Sequence, residues 1–138
     1  MKNILKLFLP LIIVLSVVSC NDRLEGDEVQ SVDTLKIDSV KIANYTMDVY
    51  TVQSIKTFST YTASCEGFYG YDYLHTDQFD RKVVSYKFKT DGNCGEPIVK
   101  ASWINFQPQK AGTYYFKFYG GKDAAGETIW LEESIEVK

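Results

Sequence analysis

The stretch W-I-N-F-Q-P-Q-K-A-G-T-Y-Y-F-K-F, residues 103–118, predicts two β-strands joined by a short corner. Pro108 has no N–H to donate to a strand ladder, and Gly112 permits the backbone conformation needed to re-enter a sheet. The strand after the corner alternates with a period of two residues, as a half-buried strand requires. Three aromatic residues share its predicted inner face: Tyr114, Phe116 and Phe118.

The segment K-A-G-T-Y-Y-F, residues 110–116, resembles the tyrosine corner of immunoglobulin-like sandwiches. In that corner a tyrosine near the start of the sixth strand bonds its hydroxyl back to the preceding turn, and the resemblance assigns this role to Tyr114. Phe116 stands where antibody domains carry their second sheet-bridging cysteine. The resemblance therefore implies a bacterial immunoglobulin-like or fibronectin-like domain closed by aromatic packing, and an ordinary hairpin of another β fold is the alternative.

The N-terminal residues 1–19 have the pattern of a secretory signal peptide. Lys2 and Lys6 precede a largely apolar run over 7–18, which is shorter than the roughly 20 residues that a membrane-spanning helix needs. The following V-V-S-C resembles the lipobox of bacterial lipoproteins, which implies a thioether-linked lipid on Cys20 as the mature N-terminus. A plain signal peptide with a chance cysteine is the alternative.

These patterns predict three regions. Residues 1–19 are expected to be a cleaved lipoprotein signal peptide, and residues 20–31 a lipidated Cys20 followed by an acidic, flexible tether. Residues 32–138 are expected to form one all-β domain, a single immunoglobulin-like antiparallel β-sandwich of six to seven strands. Two or more acyl chains such as palmitate would hold the protein stably on a membrane, and we expect the outer membrane, on its periplasmic or surface-exposed side.

Net charge limits the classes of binding partner, and the cysteines predict a disulfide. Without Lys2 and Lys6 the chain has 13 basic and 18 acidic residues, a net charge of −5, which argues against nucleic acid and anionic headgroups. Cys65 and Cys94 remain as an even pair and predict a disulfide, which would stabilise the domain by about 3 to 4 kcal/mol in the loop-entropy model. No zinc site is expected, because two cysteines and one histidine lack close metal-ligand spacing. No cofactor is expected.

Three further segments carry predictions about strands and modification. The apolar phase slips twice over residues 32–43, as in a strand that is bulged or divided between two sheets. Residues 65–80 are expected to be a loop, followed by a strand with Val84, Tyr86 and Phe88 inward.

The triplets Asp33-Thr34-Leu35 and Asp38-Ser39-Val40 resemble an acceptor motif for periplasmic O-glycosylation.

The segment 65–80 supplies the candidate ligand site. Tyr69, Tyr71 and Tyr73 at alternating positions could present a row of rings, with Asp72 and His75 beside them, and such platforms suit sugar rings or peptide surfaces. The same rings could instead form the small core of a disulfide-stapled loop.

Two other chemistries have less support in this sequence. Carboxylates at Glu66, Asp72, Asp77 and Asp80 could bind Ca²⁺, but no D-x-D-x-D-G register is present and we expect them to be solvated. His75 has Ser64 and acidic residues nearby in sequence, but no nucleophile elbow is present, so no enzyme is expected.

The sequence thus favours a membrane-anchored, non-catalytic binding or adhesion module for a glycan or protein, acting through an aromatic loop. The alternative is a structural accessory subunit that docks onto a cell-envelope complex by a strand edge or a sheet face. Joint exposure of the three tyrosines would favour the first hypothesis, and their burial the second. The outward residues Tyr115, Lys117 and Tyr119 are either a contact face or ordinary cross-strand pairs.

Overall fold

A computed structural model describes residues 26–138, and its regular secondary structure is entirely β-strand. The predicted signal peptide, Cys20 and the tether up to residue 25 lie outside the described residues. Across residues 26–138 no helix has the length and apolar character needed to cross a membrane. The nine strands of this region are β1 Val29–Leu35, β2 Ser39–Ile42, β3 Thr46–Met47, β4 Gln53–Tyr61, β5 Glu66–His75, β6 Asp80–Thr90, β7 Ile98–Phe106, β8 Gly112–Lys122 and β9 Thr128–Val137.

Two sheets face each other across one core, which confirms the all-β prediction. The smaller sheet has the order β2-β4-β7. In the larger sheet β5 pairs along one side of β6, while β8 and then β1 pair along its other side, and β9 and β3 follow β8.

The expected six to seven antiparallel strands differ from this structure in two ways. Residues 26–138 contain nine strands, and two pairings are parallel, β6 with β8 and β3 with β9. The parallel β6–β8 pair arises because the β5–β6 hairpin places β6, rather than β5, against the central aromatic strand.

Strand β8 carries the centre of the core. Tyr114, Phe116 and Phe118 are all buried, so the aromatic face predicted for this strand is confirmed. Phe106 of the opposite sheet inserts edge-on between two of them, with ring centroids 5.0 Å from Tyr114 and 5.1 Å from Phe116. Such edge-to-face contacts add about 0.5 to 1.5 kcal/mol each beyond the burial of apolar area.

The corner before β8 is fixed by a tyrosine and a glycine. The Tyr114 hydroxyl donates to the carbonyl oxygen of Lys110 at 3.1 Å, four residues upstream. Gly112 has φ of +145°, and a Cβ there would lie 2.7 Å from the ring of Phe79, so a side chain is excluded both by conformation and by space.

The N-terminal strands confirm one expectation and correct another. β1 belongs to the larger sheet and β2 to the smaller one, so the predicted division of residues 32–43 between two sheets is confirmed. β1 nevertheless begins at Val29, inside the segment expected to be tether. Pairing there needs no apolar face, because Glu28 and Asp91 exchange two hydrogen bonds, from Glu28 N to Asp91 Oδ1 at 2.8 Å and from Asp91 N to the Glu28 carbonyl at 3.2 Å.

Two predictions about residues 65–90 are wrong. Most of the expected loop 65–80 is the ten-residue strand β5, and in β6 the buried residues are Arg81, Val83 and Ser85 rather than Val84, Tyr86 and Phe88. Phe88 lies on the outer face, where its ring covers Gly67 of β5. This aromatic residue therefore packs against a glycine of the neighbouring strand and does not belong to the core.

Substitutions on the two faces of β8 should differ in their effect on the free energy of unfolding. Phe116→Ala is expected to lower the free energy of unfolding by about 3 to 5 kcal/mol, because it leaves a cavity beside Phe106. Tyr115→Ala, on the exposed face of the same strand, should change it by less than about 1 kcal/mol. Urea unfolding followed by circular dichroism measures both, and equal losses would contradict this core assignment.

Candidate functional site

The residues of the predicted ligand site all lie on or at the end of β5, but they do not form one surface. A bulge between Phe68 and Gly70 pushes Tyr69 out of the pairing register, and Tyr69 is 63% exposed. Tyr71 and Tyr73 then share the inward side, while Asp72 points the opposite way beside Val84. The expected row of three exposed rings is therefore not present.

The two inward tyrosines belong to the interior. The Tyr71 hydroxyl lies 2.6 Å from Oγ1 of Thr57 on the opposite sheet, and Tyr73 packs against the core. Burial raises the pKa of both phenols, and hydrogen bonds to Tyr71 and the nearby Arg81 beside Tyr73 only partly offset it. Both groups are therefore neutral structural side chains under ordinary conditions.

His75 and its sequence neighbours do not assemble a catalytic group. The His75 ring packs edge-on against Tyr73 at 5.5 Å, and the adjacent Arg81 donates to the backbone carbonyls of Asp77, Gln78 and Asp80. Ser64 accepts a hydrogen bond from Gly95 N at the other end of β5, roughly 30 Å along the strand from His75. Ser64, the serine considered as a partner of His75, is thus remote from it in space.

A buried ionic cluster closes the end of the sandwich where β5 begins. The Glu66 carboxylate accepts from Lys87 Nζ at 2.7 Å and from Thr62 N at 2.8 Å. Lys100 reaches in from β7 and donates to the Glu66 carbonyl at 2.6 Å. Burial alone would raise the pKa of Glu66, but the hydrogen bonds from Lys87 and Thr62 outweigh it, and the pKa is lowered.

The predicted disulfide between Cys65 and Cys94 is confirmed and lies beside this cluster. It ties the start of β5 to the loop before β7, while Ser64 also bonds Gly95 across the same gap. Within residues 26–138 no three His, Cys, Asp or Glu side chains come together as a metal site would require, and Glu66 is committed to Lys87.

The outer face of the larger sheet holds a cleft of about 260 Å³ that the sequence did not predict as a unit. Lys82 of β6 and Lys117 of β8 are register partners on this face, and Lys117 pairs with Glu132 of β9 at 2.9 Å. Lys82 Nζ lies 4.6 Å from the ring centroid of Trp130. Tyr115, which is 53% exposed, forms the other end of the cleft.

The outer face of the smaller sheet carries an apolar stripe along β7. Val99 is 61% exposed and Trp103 is 58% exposed, and both point away from the core. Phe58 of β4 is half-buried beside Ala101, its register partner. Lys56, the partner of Trp103, places its ammonium 5.5 Å from the indole centroid.

Comparison with protein-family models, curated proteins and solved structures finds no match to this chain.

Sequence reasoning missed Trp130 and Lys82 as members of a shared surface. The contact face considered at Tyr115, Lys117 and Tyr119 is on one strand, whereas the cleft needs β6 and β9 as well. Trp130 was a visible signal, but the predicted phase of β6 put position 82 inward with Val84, and only the parallel β6–β8 register brings Lys82 beside Lys117.

The stability that the ionic cluster contributes should depend on pH. Because the folded-state pKa of Glu66 is lowered, its stabilisation is present above the ordinary glutamate pKa of about 4.3 and is lost as the pH falls through the folded-state value. Glu66→Gln should cost about 1 to 3 kcal/mol at neutral pH, since Lys87 loses its charged partner. Urea unfolding over a pH series should show this cost shrinking in acid, and a pH-independent cost would contradict the assignment.

Proposed function

We propose that this chain is a lipid-anchored, non-catalytic binding module of the bacterial cell envelope that takes up an extended segment of a partner protein along β7. The observation that carries the proposal is the open side of β7, a nine-residue strand paired only with β4 among residues 26–138. An unpaired strand edge presents backbone N–H and C=O groups that can add a further strand.

The regularity of β7 supports strand addition. Its pairing with β4 runs without a register shift from Ile98 opposite Tyr61 to Phe106 opposite Gln53. The strand contains no proline or glycine. By contrast β5, at an edge of the other sheet, is bulged at Tyr69. Bulges and prolines are the devices by which edge strands resist pairing, and β7 has neither.

Lys100 is the one inward-pointing charge on β7, a type of residue that can also protect an edge. Its ammonium is occupied inside the sandwich by the Glu66 carbonyl and lies 4.9 Å from the ring centroid of Tyr61. It is therefore fixed in the interior and leaves the edge open.

The side chains beside the edge define the chemistry of the partner. Val99 and Trp103 would meet apolar residues at alternate positions of an added strand, since cross-strand neighbours contact directly. Lys56, the register partner of Trp103, places its ammonium near the indole and favours an acidic residue at that end of the partner segment. We therefore propose an extended partner segment of alternating apolar residues ending in a carboxylate.

Placement of the tyrosines favours this docking function over binding through an aromatic loop. Tyr71 and Tyr73 are packed inward and only Tyr69 is strongly exposed. Of the two functions that the sequence suggested, the subunit that docks by a strand edge or sheet face has the stronger support. A non-catalytic role is supported by the separation of Ser64 from His75.

We further propose that the sandwich is a variant of the immunoglobulin-like fold. The Tyr114 corner supports this, as does the β2-β4-β7 sheet, which corresponds in order to strands A, B and E. The parallel neighbour of β8 is a departure, because the immunoglobulin sheets are antiparallel.

The membrane anchor is proposed from the lipobox-like V-V-S-C, with acyl chains including palmitate on Cys20 and an outer-membrane location. Cys20→Ser should abolish incorporation of labelled palmitate and release the protein from the membrane fraction. Normal processing and continued membrane retention of this variant would contradict the anchor.

Site-specific photocrosslinking in intact cells tests the β7 edge. A photoreactive residue replacing Val99 in the full-length protein should give one adduct of defined mass, whose partner peptide is extended and carries the expected apolar and acidic pattern. The same residue replacing Tyr69, an equally exposed position on the opposite sheet, should not give that adduct.

Trp103→Glu provides the second arm, because it removes the apolar contact and its carboxylate repels the acidic residue proposed for the partner, without disturbing the core. It should reduce the Val99 adduct at least tenfold while the unfolding midpoint is retained. An adduct of twice the chain mass would identify a second copy as the occupant, and an adduct unaffected by Trp103→Glu would refute the edge.

A further inference from the structure

We infer that the outer face of the larger sheet is a second binding site, for a neutral oligosaccharide that lies across β6, β8 and β9 at the cleft between Tyr115 and Trp130. This site lies on the sheet opposite β7 and does not depend on partner docking there. It rests on the spacing of two aromatic rings and on the polar row between them.

The two rings are set apart along the strands. Trp130 is the register partner of Tyr119, and Tyr115 lies four residues earlier on the same strand as Tyr119. At about 3.4 Å per residue the two backbone positions are about 14 Å apart along β8. Tyr119 braces Trp130 edge-on at 6.2 Å. The arrangement offers two apolar surfaces for the C–H faces of separate sugar units rather than one deep pocket.

Between the rings runs a row of side chains of both charge signs. Lys82, Lys117 and Glu132 are successive neighbours across β6, β8 and β9, and Asp80 borders the cleft on the Tyr115 side. Ammonium groups donate hydrogen bonds and carboxylates accept them. A sugar hydroxyl does both, so a polyol can satisfy this mixed row with each of its hydroxyls.

The charge balance argues for a neutral ligand. Arg81 also borders the cleft, but its guanidinium is turned to the inner side of the sheet, toward the core. On the outer face the charges of Lys82 and Lys117 are balanced by Asp80 and by Glu132, which adjoins the cleft through its salt bridge to Lys117. An anion would therefore meet both carboxylates as well as the lysines. The cleft volume of about 260 Å³ is below the range typical of enclosed small-molecule pockets, which suits a ligand lying in an open groove.

Lys82 gives the cleft a movable cover. Its ammonium lies over the Trp130 ring at 4.6 Å, a cation–π contact worth about 0.5 to 1 kcal/mol at an exposed site. A sugar ring that stacks on Trp130 must displace it, and the displaced ammonium can then donate to a sugar hydroxyl. The lysine therefore shields the indole while the cleft is empty and contributes a donor when it is filled.

Tryptophan fluorescence can test this inference, since the chain contains two tryptophans, Trp103 and Trp130. Trp103→Phe in the detergent-solubilised full-length protein leaves Trp130 as the sole reporter. Neutral tetrasaccharides of glucose, mannose, galactose and N-acetylglucosamine are the probes, with a tetramer of galacturonic acid as the anionic comparison. At least one neutral probe should change the Trp130 emission saturably at millimolar concentration or below.

Variants on the two faces separate this site from the β7 edge. Tyr115→Ala in the Trp103→Phe background should weaken binding at least tenfold while the unfolding midpoint changes little. Binding measured by calorimetry should fall similarly for Trp130→Ala and be retained by Trp103→Phe. The inference is refuted if no neutral probe binds, if Tyr115→Ala and Trp130→Ala bind as the parent does, or if the galacturonic acid tetramer binds best.

Discussion

The contact of Phe106 with Tyr114 and Phe116 is the interaction on which the two-sheet arrangement depends. Each ring comes from a strand beside the 107–111 corner, so one short connection supplies both sides of the core. Edge-to-face packing requires a specific distance and tilt, and it therefore fixes how the sheets lie relative to each other. Because Tyr114 is also tied to Lys110 by its hydroxyl, the corner and the core are stabilised together.

The interior changes character along the sandwich. Around β8 it is aromatic and aliphatic, whereas at the disulfide end it contains Thr57, Tyr71, Glu66 and Lys87 bonded to one another or to the backbone. No buried side-chain polar atom within residues 26–138 lacks a hydrogen-bond partner. A satisfied polar end costs little stability relative to an apolar one, but it demands correct placement of every partner. The disulfide beside it reduces the number of arrangements open to the unfolded chain.

The sequence predicted those features that depend on local pattern. The alternation around Tyr114, the turn residues Pro108 and Gly112, and the even cysteine pair all indicated what the structure contains. What failed depended on pairing between distant segments. The aromatic and glycine-rich segment of β5 resembled a loop because Gly67 and Gly70 interrupt it, yet tyrosine and phenylalanine favour strands, and Phe88 covers Gly67 from the neighbouring strand. Likewise, nothing within β6 alone tells which of its two faces meets the opposite sheet.

The two candidate surfaces were also predictable from the sequence only where they depend on local pattern. Outward positions on β8 were predictable from period two, but the cleft exists only because β6 runs parallel to β8, and such a register cannot be derived from either strand by itself. The β7 stripe was visible as an apolar strand with Trp103 on one face. Which face was buried required knowledge of where Phe106 packs.

The direction of β6 has a consequence for how the molecule would stand above a bilayer. Its last residues pair with β1, where the described chain enters the domain, and its first residue borders the cleft. Ten residue steps at about 3.4 Å separate these ends by about 34 Å. In the proposed lipid-anchored protein, the entry end of β6 would face the lipid headgroups. The Tyr115 end of the groove would then be raised by about the length of β6, with Trp130 about 14 Å lower.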